Sequence, residues 1–196
     1  MVGAVSSSRA NGASRKRRAT PPPSRARQLL RSLWMPALVL GVGLSLFSRQ
    51  SGPDEGTLAS DFDLPVVSGA ASRFQLAAHR GTPVVVEAFA SWCRACRSAA
   101  PILDEAARAK RAAPVRFVAV SVDDSAQAAA GAARKWGIGF DVAWDDGDFA
   151  AKYEIAQLPT LVVIDREGRV QHSATGRVSR AELERWLTEL GAPRTE

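Results

Sequence analysis

Two cysteines stand in the 196-residue chain, Cys93 and Cys96, within Trp92-Cys93-Arg94-Ala95-Cys96. Two sulfurs separated by two residues either cycle between dithiol and disulfide or supply half of a metal site. A zinc site of this spacing ordinarily needs a second cysteine pair or two histidines at ligand spacing. His79 and His172 are the only histidines and lie far apart in sequence, so no metal and no other cofactor is expected. The flanking sequence favours redox chemistry. A β-branched run (residues 83–90) precedes the pair and an Ala- and Arg-rich helical pattern follows it. A sulfur at a helix N-terminus meets unpaired amides and the positive end of the helix dipole, which stabilise its thiolate. Such placement brings a cysteine pKa from about 8.5 into a range of roughly 3.5 to 7.5. Cys93 is therefore the expected nucleophile. Cys96, one turn further in, is the thiol expected to resolve a mixed disulfide formed on Cys93. The bland alternatives are a static disulfide or two small core residues, but a disulfide closing so short a loop removes little unfolded-state entropy.

The remaining segments must place this pair. Residues 83–90 form a near-continuous apolar run, as expected of a central strand covered on both faces, with Glu87 inside it. A carboxylate there is costly to bury ionised, so its pKa should rise and make it a proton carrier for Cys96. Residues 62–67 suggest an extended lead-in and residues 74–76 a short edge strand. After the cysteines comes a helix with Ile102, Leu103 and Ala106 on one side, then a second buried strand (115–122). Residues 126–136 suggest a helix, 140–144 a short strand and 149–153 a helical turn. Residues 160–164 and 170–174 flank Asp165-Arg166-Glu167-Gly168, a hairpin signal. Ser179 and Glu182 make a capping box for a last helix whose Leu183, Trp186, Leu187 and Leu190 share one face, with Gly191 as its stop. An α/β domain follows, with a mixed sheet flanked by helices on both faces.

Charge divides the chain. The formal charge is +6, but residues 1–31 carry eight basic side chains and no acid, which leaves residues 32–196 at 18 basic against 20 acidic. A nucleic-acid-binding domain keeps its basic residues on a folded face, so no nucleic-acid partner is expected. Residues 1–31 are rich in Ser, Ala, Arg and Pro and suggest a disordered tail. Residues 32–48 lack charge and suggest a single membrane span at the short end of the usual length. Basic residues on its N-terminal side place the tail in the cytoplasm and the domain outside. No small-x-small cleavage site follows closely, which favours an uncleaved signal anchor over a cleaved signal peptide. Residues 49–60 suggest a linker, and the folded domain is expected over 61–192.

The stretch 84–86, Phe89-Ala90-Ser91-Trp92-Cys93-Arg94-Ala95-Cys96, Pro101 and Leu158-Pro159-Thr160 together resemble the thioredoxin superfamily. The resemblance covers about residues 61–192 and is nearest to its membrane-tethered, extracytoplasmic thiol-disulfide oxidoreductases of the TlpA and ResA type. It implies a thioredoxin-like fold with an insertion before the hairpin, and protein thiols or disulfides as substrates. It also implies a membrane electron-transfer partner that resets the pair, an inner-membrane location with a periplasmic domain, and a task such as cytochrome c maturation. Pro159 matches the cis-proline that faces the cysteines, so Leu158, Pro159 and Thr160, with Trp92, are expected to bind substrate. Trp92 is expected to pack beside the pair and shield it. Pro101 matches a proline inside the active-site helix, and Glu87 the buried acid that assists proton transfer. Two departures stand out: Ala95 replaces the usual proline, and Ala99 replaces an acid many members carry. Arg94, between the sulfurs, is expected to stabilise the thiolate and make the pair more oxidising than a thioredoxin. The alternative from another class is a tethered interaction or metal-handling module without redox turnover.

Overall fold

The computed structural model describes residues 51–109 and 115–190. The basic tail, the apolar stretch 32–48, the first two linker residues and the expected stop at Gly191 lie outside these. Among the described residues no helix is long and apolar enough to cross a membrane.

The chain runs β1 (Asp63–Ser68), β2 (Arg73–Gln75), a 3-10 turn (Leu76–His79), β3 (Val84–Phe89) and α1 (Arg94–Ala109). It continues through β4 (Arg116–Ser121), α2 (Ala126–Trp136), β5 (Asp141–Trp144), α3 (Phe149–Lys152), β6 (Thr160–Ile164), β7 (Val170–Thr175) and α4 (Arg180–Glu189). The strands form one sheet in the order β2-β1-β5-β4-β3-β6-β7. β3 pairs parallel with β4 and β4 with β5, while β6 runs antiparallel to β3 and β7.

The central strand is the expected one, with all six residues of β3 buried. Its period of two sorts them onto two faces. Val84, Val86 and Ala88 join a core with Phe62, Phe74, Phe149 and Tyr153. Val85 and Phe89 point the other way, toward Leu103 and Leu183 and toward Cys96 and Ala132 respectively.

Helices do cover both faces, but unevenly. α1, α2 and α4 contribute Ala100, Ala132 and Leu187 to the second face, whereas the first is closed by the one-turn α3 and the N-terminal segment. The cause is topological: β3–α1–β4 and β4–α2–β5 are successive parallel crossovers stepping in one direction across the sheet. Right-handed crossovers of that kind must put both helices on one side. The opposite face is filled by aromatics instead, with Phe62 edge-on to Phe149 at 5.2 Å and to Tyr153 at 5.7 Å.

Local sequence explains the helix ends. Ser125 caps α2 by accepting from the Ala128 amide, and Gly137 ends it at φ 70°, a left-handed conformation that suits glycine. Ser179 caps α4 by accepting from the Glu182 amide, as the capping box anticipated.

The expected linker needs correction. From Ser51 on it belongs to the domain: Gly56 N donates to Val170 O at 2.7 Å, Val170 N to Thr57 O at 2.9 Å and Ala59 N to Gly168 O at 2.9 Å. Ser51 and Ala59 are buried. These bonds form a short antiparallel bridge, Leu58 to Arg169, at the start of β7, an outer strand whose unpaired groups need a cover.

Candidate active site

β3 ends at Phe89, and Ala90-Ser91-Trp92 turns the chain into α1 at Cys93. The turn closes with Cys93 N donating to Ala90 O at 3.0 Å. Cys93 then occupies the position before the helix: its carbonyl accepts from Arg97 N at 3.2 Å, and its Sγ accepts from Cys96 N at 3.1 Å. The sulfur takes the place a Ser or Asp oxygen would hold as an N-cap. A sulfur there engages an otherwise unpaired amide at the positive end of the helix dipole.

Cys93 and Cys96 are joined in a disulfide with S–S 2.07 Å and Cα–Cα 5.3 Å. Cys93 is 7% exposed and Cys96 fully buried. Of the two, Cys93 is the nearer to solvent. Trp92 does not pack beside the pair as anticipated. It is 74% exposed, because the turn that aims Cys93 inward leaves its predecessor pointing to solvent.

The Leu158–Pro159 peptide bond is cis. Leu158 packs against the hydrophobic cluster that includes both cysteines, so the cis-proline loop and the cysteine turn share one core. Gly176 N donates to Pro159 O at 2.7 Å, fixing the far side of this loop to the end of β7. Thr160 departs from the substrate-contact expectation: its side chain is fully buried and donates to Gln157 O at 2.9 Å. It shapes the loop from within.

Glu87 lies on the α1 side of the sheet, between Val85 and Phe89, and is 3% exposed. Its Oε1 has no hydrogen-bond partner among the described residues. Burial alone pushes the carboxyl up to about 8. It lines a cavity of about 10 Å³ with Ala99, Leu103, Pro159 and Leu161, the least volume that admits one water. Ala99 lies one turn beyond Cys96 in α1. The cavity therefore runs under the active-site helix and reaches the cis-proline.

One acid escaped notice in the sequence. Asp123, 5% exposed, accepts from Ser91 N at 2.8 Å, Ser91 Oγ at 2.7 Å and Ser121 Oγ at 2.7 Å. Its carbonyl accepts from Trp144 Nε1 at 2.7 Å. These bonds hold the residue two places before Cys93, so Asp123 anchors the cysteine loop. A signal was present: Asp123 directly follows a buried parallel strand, at the carboxyl end where such sheets build sites. Arg94 opens α1 exposed and forms no ion pair among the described residues. No group of three His, Cys, Asp or Glu there could hold a metal ion.

Known proteins share this architecture. The model of the AhpC/TSA family matches residues 56–173. The thiol-disulfide oxidoreductase ResA of Geobacillus kaustophilus is 25% identical over 169 residues, covering 84% of this chain and 96% of ResA. The thioredoxin-like protein YneN of Bacillus subtilis is 28% identical, covering 71% of this chain and 82% of YneN. Among solved structures, a putative thiol:disulfide interchange protein DsbE from Chlorobium tepidum superposes with a TM-score of 0.65 at 28% identity. That match covers 70% of this chain and 97% of the Chlorobium protein, and its fold is the thioredoxin-like one.

Proposed function

The chain belongs to the AhpC/TSA family, whose model spans more than half of it, and from that premise we propose that it is a thiol-disulfide oxidoreductase working through Cys93 and Cys96 on protein thiols and disulfides. The observation that carries this reading is the asymmetry of the pair: Cys93 is the nearer to solvent and caps the helix at the Cys96 amide, whereas Cys96 is buried behind it.

The reaction then runs in two exchanges. The Cys93 thiolate attacks one sulfur of a substrate disulfide; that bond breaks, and the departing substrate sulfur leaves as a thiolate that takes a proton from water. Cys96 next gives its proton to Glu87 in its ionised form, about a tenth of the carboxyl at pH 7, and attacks Cys93 Sγ, which releases the second substrate thiolate. Two electrons pass from protein to substrate, and Cys93–Cys96 becomes the disulfide. In the opposite direction an incoming thiolate opens the protein disulfide at Cys93, and Cys96 leaves needing a proton. With a pKa of about 8, Glu87 is ~90% protonated at pH 7 and holds that proton in the oxidised protein.

The docking side is formed by Trp92, Leu158 and Pro159. Leu158 takes part in no hydrogen bond among the described residues, so its backbone groups are available to an extended substrate beside the disulfide. Arg94 tunes the pair. A cation in the first turn opposes the helix dipole, so its placement favours the Cys93 thiolate rather than the helix. A stabilised reduced form makes the disulfide the stronger oxidant, and we place this protein on the oxidising side of thioredoxin. The apolar stretch 32–48 serves as an uncleaved membrane anchor behind a cytoplasmic tail (1–31), with the domain in the periplasm. A membrane electron-transfer protein resets the pair there, and cytochrome c maturation is the task such an arrangement suits.

Catalysed disulfide exchange with a model peptide tests the activity. Wild type should accelerate exchange and Cys93→Ser should reduce it to the uncatalysed rate. Equal rates for the two proteins would leave an interaction module as the better description.

A further inference from the structure

Ser51 lies 42 residues before Cys93 in sequence, in a stretch with no motif. Yet it is 2% exposed, and its hydroxyl is saturated by the loop that carries the cis-proline. Ser51 Oγ accepts from Ala156 N at 2.9 Å and from Gln157 N at 3.1 Å. It also lies 3.2 Å from Thr160 Oγ1. Thr160 spends its own hydrogen on Gln157 O at 2.9 Å, so the Ser51 hydrogen is shared between Thr160 Oγ1 and Glu154 O, the latter at 3.5 Å. A serine hydroxyl has two lone pairs and one hydrogen, and all three are engaged with residues 154–160.

The segment is itself held in place. Ser51 O accepts from Thr175 Oγ1 at 3.1 Å, and Gly52 N donates to Glu154 O at 3.2 Å. Gly52 has φ 103°, and a Cβ there would meet Ser173 Oγ at 2.3 Å, so only glycine lets the chain pass so close to β7. Glu154, at the head of the loop, has φ 50°, a left-handed conformation that a non-glycine residue keeps when its surroundings impose it.

We propose that Ser51 is a positioning residue for the substrate groove: its hydroxyl holds residues 156–160 against the cysteine pair with the Leu158 backbone presented to substrate. This rests on the reading of that groove given above. Ser51 acts on docking and leaves the sulfur chemistry alone, because it contacts neither the cysteine turn nor α1. Nor is it chiefly a stabilising residue. Ala156 and Gln157 are exposed residues whose bonds to Ser51 are part-buried, so losing the hydroxyl loosens the loop while the domain stays folded.

The test uses the full chain with Ser51→Ala, measuring KM and kcat for a disulfide-bonded peptide, the equilibrium constant with glutathione, and the thermal midpoint. A loop that spends about a tenth of its time in the competent arrangement raises the apparent dissociation constant about tenfold. The expected result is therefore a KM about tenfold higher, with kcat and the glutathione equilibrium within twofold of wild type. An unchanged KM would overturn the proposal, as would a glutathione equilibrium shifted as far as KM, or a variant that fails to fold. Absence of Cys93-dependent turnover in wild type would instead remove the oxidoreductase reading, and this proposal with it. The two failures are thus told apart by the wild-type control.

Discussion

Cys96→Ala should convert turnover into capture. Reduced variant mixed with a peptide disulfide is expected to stall as a Cys93–peptide mixed disulfide in stoichiometric amount, visible by mass. The reason lies in the geometry of the pair. Cys96 stands one turn from Cys93 and is completely buried, so in wild type it reaches the mixed disulfide ahead of any thiol in solution. Intramolecular groups held in line act at effective concentrations far above the millimolar range of free thiols, and losing one costs ~10²-fold or more in turnover. Alanine keeps the Cys96 amide, and with it the cap on Cys93 Sγ. The first attack should therefore proceed within a few-fold of the wild-type rate. Loss of the first attack as well would show that Cys96, not Cys93, meets the substrate.

The second large effect belongs to Glu87. Its carboxyl rises from an ordinary 4.5 to about 8 through burial. An acid whose native pKa lies above its unfolded pKa binds protons more tightly when folded, so it contributes no penalty below pH 4.5. Stability then falls as pH rises from about 4.5 to about 8 and levels off above. At about 1.4 kcal/mol per pKa unit the loss amounts to several kcal/mol, a large fraction of a domain's stability. Oxidised Glu87→Gln, titrated with denaturant at several pH values, should lack this slope and be the more stable protein at pH 8. The same substitution should slow resolution of the mixed disulfide at pH 7 by ~10²-fold, a typical share for general acid–base help. The deficit should shrink at high pH, where Cys96 ionises unaided. A variant with the wild-type pH slope would remove the buried carboxyl from the account.

Much of this was legible from the chain alone. The apolar run around Glu87 marked the central strand because both its faces are covered. α2 and β6 kept their expected bounds, since alanine periodicity and the Thr160–Ile164 run are strong local signals. The sulfur spacing gave the site, because two cysteines a helical turn apart have few uses. What the sequence hid was long-range. Ser51 and Asp123 act through hydrogen bonds to residues as far as 105 and 32 positions away, and no periodicity or spacing encodes such pairings. Residues 51–60 resembled a linker because they bind through backbone groups of Gly, Thr and Ala rather than an apolar face. The exposure of Trp92 followed from the turn that orients Cys93, which an aromatic-packs-inward rule does not anticipate. Ala99, where an acid was expected by resemblance, faces the same cavity as Glu87. Glu87, from the sheet side, is the acid that cavity contains.

The account turns on Cys93 being the activated sulfur, and alkylation of the reduced protein by iodoacetamide as a function of pH measures that directly. Cys93 should react with a midpoint well below the ordinary thiol value of about 8.5, Cys96 should stay unmodified, and Arg94→Ala should raise the midpoint. A Cys93 midpoint at or above 8.5, or modification of Cys96 ahead of Cys93, would contradict it.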